Sequence, residues 1–219
     1  MARIISILRG KNRIDCLLSG TLGDKVYFVR KGIQYTRARP VHNLKPMTAA
    51  QLDQGAKFTA VMQFLQPLTV FLRIGFKNDK ATMSPFNTAM SYNFKNALTG
   101  AHPYYSIDYS RALVSRGTLP GALNPAIVSF TGGKIEFSWE NNSSELDAMA
   151  NDKAVLVVYN PGKQQAEFLL SSKSRISGSQ VISMPTEFTG DRVHCYIAFQ
   201  KSNQTDISNS QYIGDIIVK

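Results

Sequence analysis

The sequence predicts an α+β protein: a basic N-terminal β-hairpin with two α-helices, followed by an antiparallel β-sandwich. Three observations predict it. Residues 23–40, GDKVYFVRKGIQYTRARP, hold two β-prone runs within a strongly basic stretch. Two segments with apolar residues at helical spacing follow, each preceded by a capping signature. From about residue 123 the apolar period changes to two, with turn signals between seven short runs.

The hairpin comes first. Val26 to Val29 and Ile33 to Arg37 are separated by Arg30, Lys31 and Gly32, and Gly32 can take the positive φ that a tight turn needs. Alternation puts Lys25, Tyr27 and Val29 on one face and Val26, Phe28 and Arg30 on the other, with Ile33, Tyr35 and Arg37 sharing a face of the second strand. Neither face is cleanly apolar, and a lone two-stranded ribbon is marginal in water, so other chain or a neighbouring molecule is expected to cover it.

Arg39-Pro40 ends the ribbon. TAAQ at 48–51 has capping-box spacing, and Phe58, Val61, Met62 and Leu65 form an apolar stripe that Pro67 stops or kinks. The greasy run FTAVMQFLQPLTVFLRIGF contains Gln63, Gln66, Pro67 and Arg73, which makes a membrane span costly and points to a buried helix followed by a strand or turn. Ser84-Pro85 starts a second helix with Phe86, Ala89, Met90, Phe94, Ala97 and Leu98 on one side and Asn87, Ser91, Asn93, Lys95 and Asn96 on the other; Gly100 ends it. The two helices are expected to pack on each other and on the hairpin.

Turn signals crowd residues 104–123, so the domain boundary is expected after residue 122, giving a hairpin-and-helix module (1–122) and a sandwich (123–219). The seven strands read PAIVSF, KIEFSW, AVLVVY, AEFLL, QVISM, VHCYIAF and QYIGDIIV. That order resembles a fibronectin type III or immunoglobulin-like module, with Trp139 closing the second strand and Met184-Pro185 preceding the sixth; Val193 stands where the tyrosine-corner side chain belongs.

Charge is one-sided. The 219 residues carry a formal net charge of +10; residues 1–80 hold fourteen Lys and Arg against four Asp and Glu, and residues 81–219 hold eleven of each. Such a field favours an anionic partner: nucleic acid, an acidic membrane face or an acidic patch on another subunit. Cys16 and Cys195 have no CxxC partner, which argues against a disulfide framework or a zinc site, and Cys195 falls on an apolar strand face as a small buried thiol. The run from Ile4 to Leu8 is broken by Arg9 before a secretory h-region is complete, so cytoplasmic synthesis without a signal peptide is expected.

Catalysis needs convergent groups, and none is legible. His42, His102 and His194 lie in separate elements without ligand spacing, and His194 alternates away from the Cys195 face toward solvent. Glu136, Glu140, Glu145 and Asp147 gather at one hairpin end without the spacing of a calcium loop. No cofactor, metal or small-molecule substrate is expected. The basic ribbon remains: Lys25, Arg30, Lys31, Arg37, Arg39 and Lys45, interleaved with Tyr27 and Tyr35, have the composition of a surface that grips phosphate or carboxylate and stacks flat groups.

DKVYFVRKGIQYTRARP, TAAQLDQGAKF, FLRIGFK, FNTAMSYNFKNALTG, SRGTLPGALNP and SNSQYIGDIIV together resemble a family of uncharacterised Bacteroidota proteins of about this length, over nearly the whole chain from about Leu18 onward. That family usually has Gly-Lys-Val at Asp24-Lys25-Val26 and Arg at Gly55. The resemblance implies no activity. The expected function is therefore non-enzymatic: a structural or assembly protein, of the kind found in phage or prophage particles, whose basic module docks onto neighbouring subunits or another anionic partner. The alternative is a nucleic-acid-binding protein that uses the same ribbon.

Overall fold

The computed structural model describes residues 3–10, 13–30, 32–41, 46–77, 83–145 and 147–219; the side chains of residues 3–10, 13–17, 171 and 172 are outside that description. Lys31, His42 and Lys45, singled out above, lie outside the described residues, as does the side chain of Cys16. The chain forms two compact units, Met1–Met47 and Thr48–Lys219.

The first unit is a four-stranded antiparallel meander: β1 (Arg3–Gly10), β2 (Arg13–Leu22), β3 (Lys25–Arg30) and β4 (Ile33–Ala38), paired in chain order. The expected hairpin is β3–β4, turning at Gly32 with φ 77°. It is not alone, because β2 pairs along the other edge of β3, with Gly20, Thr21 and Leu22 opposite Tyr27, Val26 and Lys25. The sequence did not announce β1 and β2, whose register shifts between Ile4 and Ser6 and so breaks the period-two pattern.

The second unit opens with α1 (Ala49–Leu65), begun by the expected capping box: Thr48 Oγ1 accepts from the Gln51 amide at 3.3 Å and Gln51 Oε1 accepts from the Thr48 amide at 2.9 Å. After Pro67 the chain makes another short helix, α2 (Thr69–Gly75), where a strand or turn was expected; Leu68, Phe71 and Leu72 are buried by the turn, which an extended chain would not achieve. α3 (Pro85–Asn96) is capped by Ser84, which accepts from the Asn87 amide. A hairpin of β5 (Leu98–Ala101) and β6 (Tyr104–Ile107) follows, its second strand inside the segment read as a junction.

Seven strands then build the sandwich: β7 (Leu123–Phe130), β8 (Lys134–Glu140), β9 (Lys153–Asn160), β10 (Gln165–Ser174), β11 (Ser179–Ser183), β12 (Arg192–Gln200) and β13 (Gln211–Ile217). One sheet has the order β10-β9-β12-β13 and the other β11-β8-β7, all antiparallel, which is the immunoglobulin and fibronectin III-like arrangement the seven runs predicted. Between the sheets, Ile135, Phe137 and Trp139 of β8 share a core with Leu156 and Val158 of β9 and Cys195, Ile197 and Phe199 of β12. Burial pushes the Cys195 thiol up to about 12, so it stays protonated and acts as a small apolar filler.

The other face of the four-stranded sheet is covered too. Val155, Val157, Tyr159, Tyr196 and Ala198 form a second core with Val61, Phe64, Leu65, Leu68, Phe71 and Leu72 of the helical layer. This explains why AVLVVY and VHCYIAF are apolar on both faces. It also turns the α1 stripe, since Phe64 is buried while Phe58 is exposed. The helices therefore belong with the sandwich, and the chain divides between Met47 and Thr48 instead of after residue 122.

The expected junction is a buried strap. The Ser115 hydroxyl donates to the Ser208 carbonyl at 2.9 Å, the Ser210 hydroxyl accepts from the Val114 amide at 2.9 Å, and the Arg116 amide donates to the Gly75 carbonyl at 2.8 Å. Gly117 passes so close to the β12–β13 connection that a Cβ would lie 1.9 Å from the Ile207 carbonyl oxygen. Asn93, placed on the polar side of α3 by its sequence, is fully buried: its amide nitrogen donates to the Leu113 carbonyl at 2.9 Å and its carbonyl oxygen accepts from the Leu113 amide at 3.0 Å. A primary amide carries a donor and an acceptor side by side, which suits it to both backbone groups of one residue.

Beneath the strap lies Arg175, fully buried. Its guanidinium donates to the Gly121 carbonyl at 2.9 Å, the Pro120 carbonyl at 2.9 Å and Asn142 Oδ1 at 2.6 Å, pairs with Asp152 at 3.3 Å, and lies 3.9 Å over the Phe199 ring. Its backbone carbonyl accepts from the Trp139 indole at 2.7 Å. Burial pushes the Arg175 pKa down, and Asp152 offsets that by favouring the charged form.

His194 is half-buried, not on the solvent side, because the helical layer and Tyr109 cover its face of β12. Its ring stacks on Tyr109 at 3.8 Å and its Nδ1 lies 3.0 Å from the Tyr212 hydroxyl. Desolvation holds its pKa below 6.5, with a smaller push the same way from Arg192 against an opposing pull from Asp215. The unfolded chain therefore takes up a proton that the folded one resists. Stability is full above about pH 6.5 and falls as pH drops below that value toward the depressed folded pKa. Thermal unfolding at pH 7.5 and 5.5 is expected to show a lower midpoint at 5.5, and His194→Gln should remove much of that difference; an unchanged difference would mean another group titrates.

Candidate functional site: the basic aromatic face of the N-terminal sheet

Residues 1–47 hold ten Lys and Arg and two acids, Asp15 and Asp24, so most of the chain's excess positive charge lies in this unit. The β3–β4 register decides how it is displayed. Val26 is opposite Arg37, Phe28 opposite Tyr35 and Arg30 opposite Ile33, and directly opposed residues share a face. On this face the rings of Phe28 and Tyr35 stack with centroids 5.6 Å apart and planes 17° apart. Phe28 is 38% and Tyr35 43% exposed, and Arg30, Ile33 and Arg37 are exposed around them. Arg30 and Arg37 mark opposite ends of the aromatic pair, roughly 14 Å apart at about 3.4 Å per residue.

The candidate residues thus separate. Arg30, Tyr35 and Arg37 come together, joined by Phe28 and Ile33, which the sequence reading did not include among the contacts. Lys25 and Tyr27 lie on the opposite face with Val29, Gln34 and Thr36. There Tyr27 is half-buried, and Gln34 Oε1 accepts from the Leu18 amide at 3.2 Å. Arg39 follows β4, exposed, with its amide donating to the Asp24 carbonyl at 2.6 Å. The signal for Phe28 was available in the register: in a tight hairpin turning at Gly32, Phe28 and Tyr35 face each other.

Among the described residues no ion pair engages Lys25, Arg30, Arg37 or Arg39. Exposed guanidinium groups beside an aromatic surface can hold carboxylate or phosphate through two parallel N–H donors while the rings take a flat or apolar group. Elsewhere, some charged groups are spent internally. Asp53 accepts from Lys57 at 2.7 Å and from the Tyr105 hydroxyl at 2.5 Å, which hold its carboxyl below the usual range. Glu145 accepts from Asn142 at 2.9 Å. Among the described residues there is no group of three or more His, Cys, Asp and Glu side chains placed to hold a metal ion, and no helix long and apolar enough to cross a membrane.

With this geometry in view, the chain can be compared with known proteins. The family described as "Family of unknown function (DUF6266)" matches residues 17–214, from within β2 to within β13. The chain belongs to the DUF6266 family. The match takes in the β3–β4 face and the sandwich alike, and so covers part of the first unit and nearly all of the second. Among solved structures, the DUF6266 chain is similar to the solution structure of the fn3 domain of human collagen alpha-1(XX) chain, at 10% identity and a TM-score of 0.33, covering 45% of this chain and 84% of that one. No curated protein matches the chain.

Proposed function

We propose that the protein is a non-catalytic assembly component whose N-terminal sheet docks onto a neighbouring subunit or another anionic partner, with the helix-backed sandwich as its rigid body. The observation that carries this reading is the display of Arg30 and Arg37, without internal ion pairs among the described residues, at either end of the exposed Phe28–Tyr35 stack. A face of this composition costs solubility when left bare, and Arg and Tyr are the residue types that dominate protein contacts. A phage- or prophage-type particle from a Bacteroidota host is the setting that suits a sandwich carrying a separate docking unit.

The stacked pair also favours a second reading, a single-stranded nucleic acid whose bases stack on Phe28 or Tyr35 while its phosphates meet the arginines. Light scattering with absorbance detection on the native protein separates the two. The assembly reading expects oligomers free of nucleic acid, reduced to the monomer mass by Arg30→Ser, Arg37→Ser and Arg39→Ser together. Co-purifying nucleic acid, with affinity falling at a log-log slope of about −0.7 per phosphate contact, would favour the second reading instead. Unchanged association after the triple substitution overturns both.

A further inference from the structure

We propose that the docking surface for the basic aromatic face is the outer face of the three-stranded sheet β7–β8–β11 on a second copy of the same chain. This rests on the assembly reading and names its partner. On that outer face Val128, Glu136 and Val181 stand side by side across the three strands, and Phe130, Lys134 and Ser183 form the next row. Val128 is 49%, Phe130 47% and Val181 40% exposed. A sheet whose other face fills the sandwich core normally presents polar side chains to water. Here β8 keeps to that rule with Lys134, Glu136, Ser138 and Glu140, but Val128 and Phe130 of β7 and Val181 of β11 stand exposed beside it, an apolar group of the kind that is covered in use.

The charges fit the proposed occupant. Glu136 and Glu140 lie four residues apart on the outward face of β8, about 14 Å at 3.4 Å per residue. Arg37 stands opposite Val26, four residues from Arg30, so the two guanidiniums are spaced to match. On each face an apolar side chain stands beside each charge: Ile33 beside Arg30 and Val26 beside Arg37 on the cationic one, Val128 and Val181 beside Glu136 and Leu123 beside Glu140 on the anionic one, where Ser138 lies between the two carboxylates. Among the described residues no ion pair holds Glu136 or Glu140. The register that places the arginines over the two carboxylates leaves Lys134, beyond Glu136 on the same strand, at the edge of the contact together with Phe130 opposite it. Phosphate is disfavoured by this surface, since its carboxylates repel it and nothing in a nucleic-acid backbone covers Val128 and Val181.

In such a contact the apolar side chains beside the charges supply affinity, and the charges set register and exclude wrong pairings. The two faces differ, so the contact is head-to-tail. Such a contact either closes, reciprocally between two copies or around a ring, or grows as an open filament.

The test is a charge swap in the full chain, read by sedimentation velocity over a wide concentration range, with circular dichroism and the thermal midpoint confirming that each variant folds. Wild type is expected to associate with increasing concentration. R30E/R37E and E136R/E140R are each expected to associate at least about a hundredfold more weakly, since each sets like charges face to face. An equimolar mixture of the two variants is expected to associate again, because each now offers the face the other lacks. If E136R/E140R associates like wild type while R30E/R37E does not, the β7–β8–β11 face is not the partner surface, and the reading of the N-terminal sheet as a docking unit stands. If R30E/R37E is silent, both fall. A wild type that stays monomeric throughout, or a mixture that fails to restore association, overturns the second copy as occupant.

Discussion

A fragment containing residues 123–219 alone is expected not to fold to a monomer, whereas residues 48–219 are expected to do so. The sandwich strands are all present in the shorter piece, and a reader of strand count alone would expect it to be stable. What it lacks is the cover over the outward face of β9 and β12. Val155, Val157, Tyr159, Tyr196 and Ala198 are buried by α1, α2 and the loop that carries Tyr109, and removing residues before 123 returns all five to water. At roughly 1.5–3 kcal/mol for each large apolar side chain, the loss is on the order of 10 kcal/mol, comparable with the whole stability of a typical domain. The fragment also loses the Tyr196 hydroxyl's acceptor, the Tyr109 carbonyl at 2.9 Å, and the serine contacts to the strap. Circular dichroism and sizing of the two fragments check this; a monomeric, cooperatively melting 123–219 would mean the helical layer is only an ornament on an independent sandwich.

Arg175→Met is expected to lower the stability of the second unit by about 3–5 kcal/mol, because it strands Asp152 as an unpaired buried carboxylate. The Pro120 carbonyl and Asn142 Oδ1 lose their donor as well, and the Gly121 carbonyl is left with Asn142 Nδ2 alone. For a unit of this size that corresponds to a fall in the melting midpoint of roughly 6–20 °C. The pairing itself need not be stabilising relative to an apolar substitute, so R175M with D152L is expected to recover part of the loss. If R175M melts like wild type, Arg175 is not what ties residues 120–121 to the sandwich. The result also bears on assembly, since Arg175 follows β10 and its carbonyl fixes Trp139, at the end of the strand that carries Glu136 and Glu140.

The sandwich was legible because its strands are short β-prone runs, KIEFSW alternating cleanly, and are separated by turn residues. The Thr48 and Ser84 caps were legible because capping is a local, stereochemical demand that a few residues satisfy by themselves. What was not legible depends on partners distant in sequence. Asn93 looks like a surface residue on its helix until Leu113 arrives with an unpaired amide and carbonyl. His194 looks solvent-facing on a strand with one buried face, and the helical layer makes the second face buried too. AVLVVY carried the hint, since apolar residues on both faces of a strand mean a third layer, and that layer fixes the unit boundary at residue 47. In the candidate site, composition found the basic ribbon, but only register could assign its faces. Phe28 belongs with Tyr35 and the two arginines, while Lys25 and Tyr27 point the other way.

The central claim is that the cations of the N-terminal sheet are free to engage a second body. The most direct measurement compares the association of wild type with that of the variant carrying Ser at positions 30, 37 and 39, by light scattering at low and high salt. The account expects wild-type association to weaken as salt rises, and the variant to be monomeric at both, with its melting transition unchanged. A variant that associates as wild type does, at the same salt, would contradict it.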